Sequence, residues 1–446
     1  MKRIIGLSLS EWQKSPYRKP LLLRGARQVG KTHSVRQLGK NFESYVEINF
    51  EKTPEAKTIF EGELSAKRLL RDIALFTGQP ITPSKTLFFL DEIQEAPRAI
   101  LALRYFYEEL PELHIVGAGS LLEFAIEEIG VPVGRVEFLY MNPMSFIEYL
   151  HAKKHHMLIE EIRRHSIQEA LNDALHNKFL NLFFEYLAIG GMPEAVQVWV
   201  KNNDIIQVGK IQQNLIDAYL QDIPKYSRKM QIKYVEAIFS SMPALVGTHF
   251  KYSRIHGEYR KRELAPALDL LVKAGLLHRV VHSSGNGIPL GAEIDEDKFK
   301  LIFLDVALTQ VLLGLSPNVW LLQGIDTLVN RGEIVEAVIG QEILAYSEPH
   351  TKSKLFYWQR EQANSQAEID YLIQKNNEIL PVEVKSNKGS TLKSMQLFLN
   401  SHVNSPYGVR VSTHNYSIHD KIHSYPLYAF AALVLTNDEV WDYMKE

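Results

Sequence analysis

The pattern that most limits how this chain can fold is a glycine-rich segment close to its first residue. Gly25 to Thr32 reads G-x-x-x-x-G-K-T, between the apolar run Leu21–Leu23 and a helical stretch. A buried strand must deliver such a loop and a helix must begin beneath it, so that free backbone N–H groups face phosphate. Gly25 and Gly30 allow the tight curl that a Cβ would obstruct. A glycine-rich turn that binds nothing is the alternative, and the flanking strand and helix disfavour it.

The same segment predicts a site for ATP and Mg²⁺. Lys31 would place a positive charge beside the β- and γ-phosphates, and Thr32 would offer a hydroxyl to Mg²⁺. The residues expected to contact the nucleotide form one continuous run: Gly25, Ala26, Arg27, Gln28, Val29, Gly30, Lys31, Thr32 and His33.

A second segment, Thr86–Gln94, carries four bulky apolar residues followed by two acids. Such a run indicates a central parallel strand that is buried on both faces. Its acids lie at the carboxyl end, where open α/β sheets place their ligands. We therefore expect Asp91 to hold the hydrated Mg²⁺ and Glu92 to orient the attacking water. A helix cap is the alternative for an acidic pair taken alone.

Further along, the strand His114–Ala118 ends in Gly119-Ser120, and the chain then reads G-R-x-x-x-x-x-M-x-P-M-S-F-x-E-Y from Gly134 to Tyr149. The order of phosphate loop, L-D-E-I-Q, G-S and this string resembles a family of prokaryotic AAA+ ATPases. Those proteins carry a long C-terminal region that ends in a restriction-endonuclease-like fold. The later string G-G-M-P-E-A-V, starting at Gly190, is a further hallmark of the family, so the resemblance covers nearly the whole chain.

The resemblance implies roles for two more residues. Ser120 falls where AAA+ proteins place a polar residue that senses the γ-phosphate or the lytic water, although Gly-Ala-Gly-Ser alone indicates only a turn. Arg135 falls where relatives present an arginine to a neighbouring subunit's γ-phosphate, so a homo-oligomer is expected. A salt-bridged surface arginine is the alternative for Arg135.

The pattern predicts a helical region from 146 to 228 and a winged-helix-like region from 229 to 330. Basic residues gather ahead of the third helix of that second region, where helix-turn-helix proteins face the major groove. They are Lys251, Arg254, Arg260, Lys261 and Arg262. Contact with DNA and contact with a protein partner both remain open for this surface.

The C-terminal segment carries a second group of candidate residues. Asp370, Glu383 and Lys385 have the spacing D-x(12)-E-x-K, which is the core of the PD-(D/E)xK nuclease pattern. Glu383 and Lys385 share one face of a strand, and Asp370 on the neighbouring strand can meet Glu383. Two carboxylates, with Glu342 from a preceding helix as a third, would suit a second Mg²⁺ or Mn²⁺ ion. Lys385 would then stabilise a hydroxide or the charged transition state.

The composition of the chain excludes several classes of site and partner. The chain has 446 residues, no cysteine and a net charge of −2, which excludes disulfides and thiolate zinc sites and gives no global attraction to nucleic acid. No apolar run approaches a membrane span, and a cytoplasmic location without membrane partners is expected.

The predicted fold class is α/β, with four regions in chain order. They are a P-loop AAA+ ATPase domain (1–145), a helical lid (146–228), a winged-helix-like domain (229–330) and a nuclease-like domain (331–446). The predicted function is an ATP hydrolase acting on DNA, with metal-dependent cleavage left open. The alternative is a nucleotide-dependent switch or scaffold that acts through protein partners and does not cleave.

Overall fold

The computed structural model describes residues 1–226, 231–242, 245–323, 332–360, 367–385 and 392–445. Strands within these ranges form two sheets, one of five strands near the N-terminus and one of eight further along the chain. Helices cover both sheets, so the predicted α/β class is confirmed.

The N-terminal sheet is entirely parallel, and its strands have the order β2-β3-β4-β1-β5. Its strands are β1 (Leu21–Arg24), β2 (Ser44–Asn49), β3 (Thr86–Asp91), β4 (His114–Ala118) and β5 (Glu137–Tyr140). Every residue of β1, β3 and β4 is buried, as predicted for strands that are covered on both faces.

Helices on the two sides of this sheet bury its alternating side chains. They are α1 (Ile5–Lys14), α2 (Lys31–Gly39), α3 (Ala66–Thr77), α4 (Pro97–Glu109) and α5 (Leu122–Ile129). Phe88 and Leu90 belong to one apolar cluster, whereas Leu87 and Phe89 belong to the other. Each apolar residue of β3 therefore contributes to one of two cores, which explains the uninterrupted apolar run.

A helical segment follows, as predicted. It contains α6 (Phe146–Ala152), α7 (His156–Arg164), α8 (Asp173–Ile189), α9 (Pro193–Asn202) and α10 (Ile205–Tyr226). Between α8 and α9, the Gly190-Gly191 turn is closely packed. A Cβ on Gly191 would lie 2.3 Å from the carbonyl oxygen of Met144, and one on Gly190 would lie 2.4 Å from Asp305 Oδ1. Close packing against the backbone of Met144 and the side chain of Asp305 thus accounts for the two glycines.

Two helices and a hairpin come next: α11 (Ile232–Ser241), α12 (Lys261–Lys273), β6 (Leu277–Ser283) and β7 (Ile294–Phe303), followed by α13 (Val306–Leu312) and α14 (Pro317–Gln323). Between α11 and α12, the segment Tyr252–Arg254 forms a 3₁₀ turn. Such a turn is too short to sustain the i to i−4 hydrogen bonds of an α-helix.

The remaining elements complete the second sheet. They are α15 (Gly332–Tyr346), β8 (Leu355–Gln359), β9 (Glu368–Lys375), β10 (Glu378–Lys385), α16 (Lys393–Ser401), β11 (Gly408–Ser412), β12 (Ser417–His419), β13 (Ile422–Pro426), α17 (Phe430–Val434) and α18 (Asp438–Lys445). This sheet is mixed, and its order is β12-β13-β11-β10-β9-β8-β6-β7.

The hairpin β6–β7 joins the C-terminal strands directly, because β6 pairs in parallel with β8. One sheet therefore crosses the boundary predicted at residue 330, while the division into four domains stays a prediction. Among the described helices, none combines the length and the apolar character that crossing a bilayer requires.

Glu342 joins α15 to the start of α6 and is 2% exposed. The backbone N–H of Phe146 donates to its Oε1 at 3.0 Å, and the hydroxyl of Tyr186 donates to the same oxygen at 3.0 Å. Burial raises the pKa of Glu342 from 4.5 to about 7. A carboxyl group at a helix N-terminus thus connects the C-terminal region to the helical segment.

We expect Glu342 to make stability fall as the pH rises. Between about 4.5 and about 7 the unfolded chain loses this proton while the folded chain keeps it, so unfolding is favoured by up to on the order of 3 kcal/mol. Glu342→Gln keeps the acceptor and should flatten the dependence of melting temperature on pH over this interval. The exposed Glu348→Gln should leave it unchanged. Equal pH profiles for the parent and Glu342→Gln would contradict this assignment.

Candidate functional site

The parallel order of the first sheet brings several strand ends together. Asp91 at the end of β3 lies opposite Ala118 of β4, and Ala118 lies opposite Leu23 of β1. The glycine-rich loop leaves β1 one residue after Leu23, at the same edge. Asn49, the last residue of β2, lies opposite Asp91 on the other side.

The loop has the backbone that its two glycines predict. Gly25 has φ 143° and Gly30 has φ 104°, both in the region that side chains rarely adopt. A Cβ on Gly25 would lie 2.2 Å from the carbonyl oxygen of Met141. Gly30 is the residue before α2, so the loop ends at the first turn of a helix whose N–H groups can meet an anion.

Lys31 is buried at the base of this loop. Its ammonium donates to the carbonyl oxygens of Gly25 and Ala26, both at 2.8 Å. Burial lowers the pKa of Lys31 to about 8, although the charges of Glu92 and Asp91 oppose this shift. The ammonium is held where it can exchange loop carbonyls for phosphate oxygens.

Thr32 and Asp91 are in contact, as the predicted metal role requires. The hydroxyl of Thr32 donates to Asp91 at 3.1 Å for Oδ1 and 3.2 Å for Oδ2. The side-chain amide of Asn49 donates to Asp91 Oδ2 at 2.9 Å. Burial raises the pKa of Asp91. The hydroxyl and carboxylate oxygens are hard ligands of the kind that Mg²⁺ prefers.

Glu92 has φ 52°, a strained conformation for a residue with a side chain. Gln94 donates to its Oε2 at 2.7 Å, and burial raises the pKa of Glu92. Gly119 allows this arrangement, because a Cβ there would lie 1.8 Å from Gln94 Oε1. The hydrogen bond from Gln94 helps to hold Glu92 in this strained conformation.

Arg27 connects the loop to the distant helix α10, a contact that the sequence did not reveal. Its guanidinium forms an ion pair with Asp222 and lies 3.9 Å from Glu51. The hydroxyl of Tyr219 donates to the carbonyl oxygen of Arg27 at 3.0 Å. Lys225 completes the group, with its ammonium 3.1 Å from Asp222. The contacts tie the loop to the end of the helical segment.

The remaining loop residues have different surroundings. Gly25, Ala26 and Ser120 line a cleft of about 1080 Å³ that extends toward the C-terminal region. The carbonyl oxygen of Val29 accepts a hydrogen bond from Arg3 at 2.7 Å. His33 lines a separate cavity of about 440 Å³ beside Met1 and Gln37, and Gln28 is exposed with φ 65°.

Arg135 lies near the N-terminal ends of the parallel strands, whereas the glycine-rich loop lies at their C-terminal ends. It precedes β5, whose first residue Glu137 lies opposite Leu21 at the beginning of β1. Its Nε donates to Glu108 at 2.9 Å, and its side chain is 44% exposed. Arg135 is therefore remote from the loop of its own chain.

The C-terminal candidates are partly brought together. The backbone N–H of Val384 donates to Asp370 Oδ2 at 2.7 Å, which places Asp370 beside the strand that carries Glu383. Lys385 Nζ lies 2.6 Å from Glu383 Oε1. Glu383 is 3% exposed, and its Oε2 has no hydrogen-bond partner among the residues that the structure describes. The predicted neighbourhood of Asp370, Glu383 and Lys385 is present.

Glu342 is not part of that neighbourhood, since its carboxylate faces the start of α6. The acid of α15 that lies among the strand residues is Glu336, about 1.7 helical turns earlier. In the described parts of the chain, no group of three or more His, Cys, Asp or Glu side chains is arranged to hold a metal ion. Glu342, the third predicted metal ligand, is therefore not beside Asp370. Its carboxyl group instead accepts the backbone N–H of Phe146 at the start of α6.

Family comparisons divide the chain into three parts. Residues 17–150 match the model of an AAA domain. This region is an AAA-type ATPase domain. The domain implies nucleotide binding, and its loop, Asp91 and Glu92 all fall within the matched residues. Residues 180–319 and 331–430 match two domains of unknown function, DUF8612 and DUF4143.

Other comparisons give only distant likenesses to this chain. No curated protein matches it. The Walker-type ATPase PABY2304 of Pyrococcus abyssi has 15% identity and a TM-score of 0.43, covering 69% of this chain and 94% of that one. The Hsp104–ADP complex of S. cerevisiae has 14% identity and a TM-score of 0.27, covering 60% and 37%. The Orc1 protein of Aeropyrum pernix in complex with DNA has 13% identity and a TM-score of 0.22, covering 70% and 90%.

Proposed function

We propose that the protein is a Mg²⁺-dependent ATP hydrolase whose nucleotide state controls a DNA-binding surface. The observation that carries the hydrolase role is the contact between Thr32 and Asp91 at the head of the phosphate loop. Both groups fit Mg²⁺, which would bridge phosphate oxygens and neutralise their charge. Lys31 would bind the β- and γ-phosphates, and Glu92 would orient the water that attacks.

Two substitutions separate binding from hydrolysis. Lys31→Ala should weaken binding of a fluorescent ATP analogue at least about 10-fold, because the phosphates lose their buried cation. Glu92→Gln should bind ATP like the parent but lower turnover about 100-fold, because the water loses its carboxylate partner. The control variants Lys40→Ala and Glu95→Gln change the same residue types nearby. Parent-like turnover in both test variants would make the site assignment wrong.

We also propose that Arg135 acts on the ATP site of a neighbouring subunit in a homo-oligomer. Its position near the N-terminal ends of the strands favours action in trans, and its exposure leaves the guanidinium accessible. A planar cation there would neutralise charge that spreads over the phosphate oxygens during transfer. If Arg135 left Glu108 to bind a phosphate, the protein would lose a surface ion pair, and losing such a pair costs little free energy.

Mixing experiments distinguish the trans role from a surface salt bridge. Arg135→Ala should bind ATP normally but lose most turnover, and adding Lys31→Ala protein should restore part of it. The restored interfaces would combine an intact loop from one subunit with an intact arginine from the other. Arg104→Ala, which removes the other partner of Glu108, is the matched control. A monomer with full activity, or Arg135→Ala with parent turnover, contradicts the proposal.

The surface we propose for DNA lies just before and at the start of α12. Lys251, Arg254, Arg260, Lys261 and Arg262 are all exposed, and the hairpin β6–β7 follows as a wing would. The arrangement supports a winged-helix-like region, and the contacts of Arg27 with α10 supply a route from the ATP site toward it. Lys261 pairs with Asp297 of the hairpin at 2.9 Å. Because Asp297 offsets the charge of Lys261, this ion pair favours the alternative that the surface binds a protein partner.

Salt dependence separates the two candidates. Duplex DNA should bind at low salt and raise ATP turnover, and Arg260→Ala/Arg262→Ala should reduce the slope of log K against log salt by about 2. Arg71→Ala/Lys85→Ala removes two exposed cations from the ATPase domain and serves as the control. An absence of DNA binding at low salt would favour the nucleotide-dependent switch that acts through proteins.

The arrangement of Asp370, Glu383 and Lys385 supports a nuclease-like fold for the C-terminal region. Two observations weigh against cleavage within it. Lys385 is engaged with Glu383, and the acids around Asp370 already contact a buried ammonium. We therefore favour a C-terminal region that binds without cutting.

A further inference from the structure

A buried lysine lies among three acids at the centre of the second sheet. Lys300 extends from β7 and is 2% exposed. Glu336 reaches it from α15, and Glu368 and Asp370 reach it from β9. The sequence separates these residues by as many as 70 positions, and no simple pattern relates Lys300 to the nuclease-like spacing.

The inner oxygens of the three acids converge on one ammonium. Lys300 Nζ lies 2.8 Å from Glu336 Oε1 and 3.9 Å from Asp370 Oδ1, and it forms an ion pair with Glu368 Oε1. The ring of Tyr357 covers the same ammonium, with its centroid 5.4 Å away. The cation is therefore surrounded by carboxyl oxygens and by the face of an aromatic ring.

The outer oxygens of the strand acids are fixed by other donors. Glu368 Oε2 contacts His249 Nε2 at 2.7 Å, and Asp370 Oδ2 accepts the N–H of Val384 at 2.7 Å. The hydrogen bond from His249 and the charge of Lys300 overcome burial and lower the pKa of Glu368 to about 2. Because these contacts orient the carboxylates, their inner oxygens point to Lys300.

A metal-dependent nuclease centre would need these oxygens for a divalent ion. The cluster could not hold the Lys300 ammonium and a divalent ion together. A metal bound to these acids would lie close to the ammonium, and the two positive charges would repel each other strongly because buried charges are poorly screened. Expelling the ammonium would leave Lys300 buried without its partners. While Lys300 occupies the cluster, the residues at Asp370 thus do not fit a divalent ion.

We propose that the Lys300 ammonium is the resident cation of this carboxylate centre and takes the place of a divalent metal. The centre then fastens β7 to α15 and β9 and performs no metal-dependent cleavage. Because the lysine comes from the middle of the chain and the acids from its C-terminal part, the cluster makes the hairpin β6–β7 and the C-terminal strands one unit. The inference does not depend on the ATP site.

The first test measures Mn²⁺ binding to the nucleotide-free, full-length protein by electron paramagnetic resonance. The parent and Asp370→Asn share the same ATP site, so any difference between them reports on the C-terminal centre. We expect equal binding. A site for Mn²⁺ in the parent that Asp370→Asn removes would overturn the proposal.

The second test removes the resident cation. Lys300→Ala should melt several degrees below the parent in EDTA, because three buried acids lose their cation, and Mn²⁺ should restore part of the loss. Lys298→Ala, an exposed lysine on the same strand, should melt like the parent in both conditions. A parent-like melting temperature for Lys300→Ala in EDTA, or no gain with Mn²⁺, would overturn the proposal. If Lys300→Ala does not fold, the Mn²⁺ comparison of parent and Asp370→Asn still decides.

Discussion

Parallel pairing of β3 with β4, and of β4 with β1, is the constraint on which the ATP site depends. It aligns Asp91, Ala118 and Leu23 in one row across the sheet, so the loop after β1 begins beside the carboxylate that ends β3. The contact between Thr32 and Asp91 follows from this alignment. A sheet in another order would separate the two groups, however well each local motif were formed.

Buried carboxylates perform a comparable role for the rest of the chain. Glu342 caps the start of α6, and Asp305 accepts the N–H of Gly191 at 2.7 Å while it also caps α13. Lys300 joins the hairpin to α15 and β9 through its acids. Each such group is costly to bury without a partner, so these contacts tie distant segments together and disfavour other arrangements of them.

The local motifs could be predicted because neighbouring residues carry them. The loop needs Gly25 and Gly30 at fixed spacing, and an apolar run ending in Asp91 indicates a central strand with a ligand at its end. Asn49 ends β2, and its position opposite the end of β3 could have indicated its contact with Asp91. Strand alternation equally allowed Glu383 and Lys385 to be placed on one face of a strand.

Contacts between distant segments could not be predicted in this way. Nothing near Arg27 indicates that Asp222 will pair with it, because that contact depends on how α10 packs against the loop. Glu342 and Glu336 lie on the same helix, and only its packing decides which of them meets Asp370. The position of Lys300 among the three acids also depends on how distant segments pack together.

The most direct measurement is a crystal structure with a non-hydrolysable ATP analogue and Mn²⁺, located by anomalous scattering. We expect a Mn²⁺ peak beside Thr32 and Asp91, the Lys31 ammonium on the phosphates, and no peak at Asp370, where Lys300 should keep its place. A nucleotide bound away from the glycine-rich loop would contradict the assigned ATP site. A strong peak at Asp370 with Lys300 displaced would contradict the resident cation.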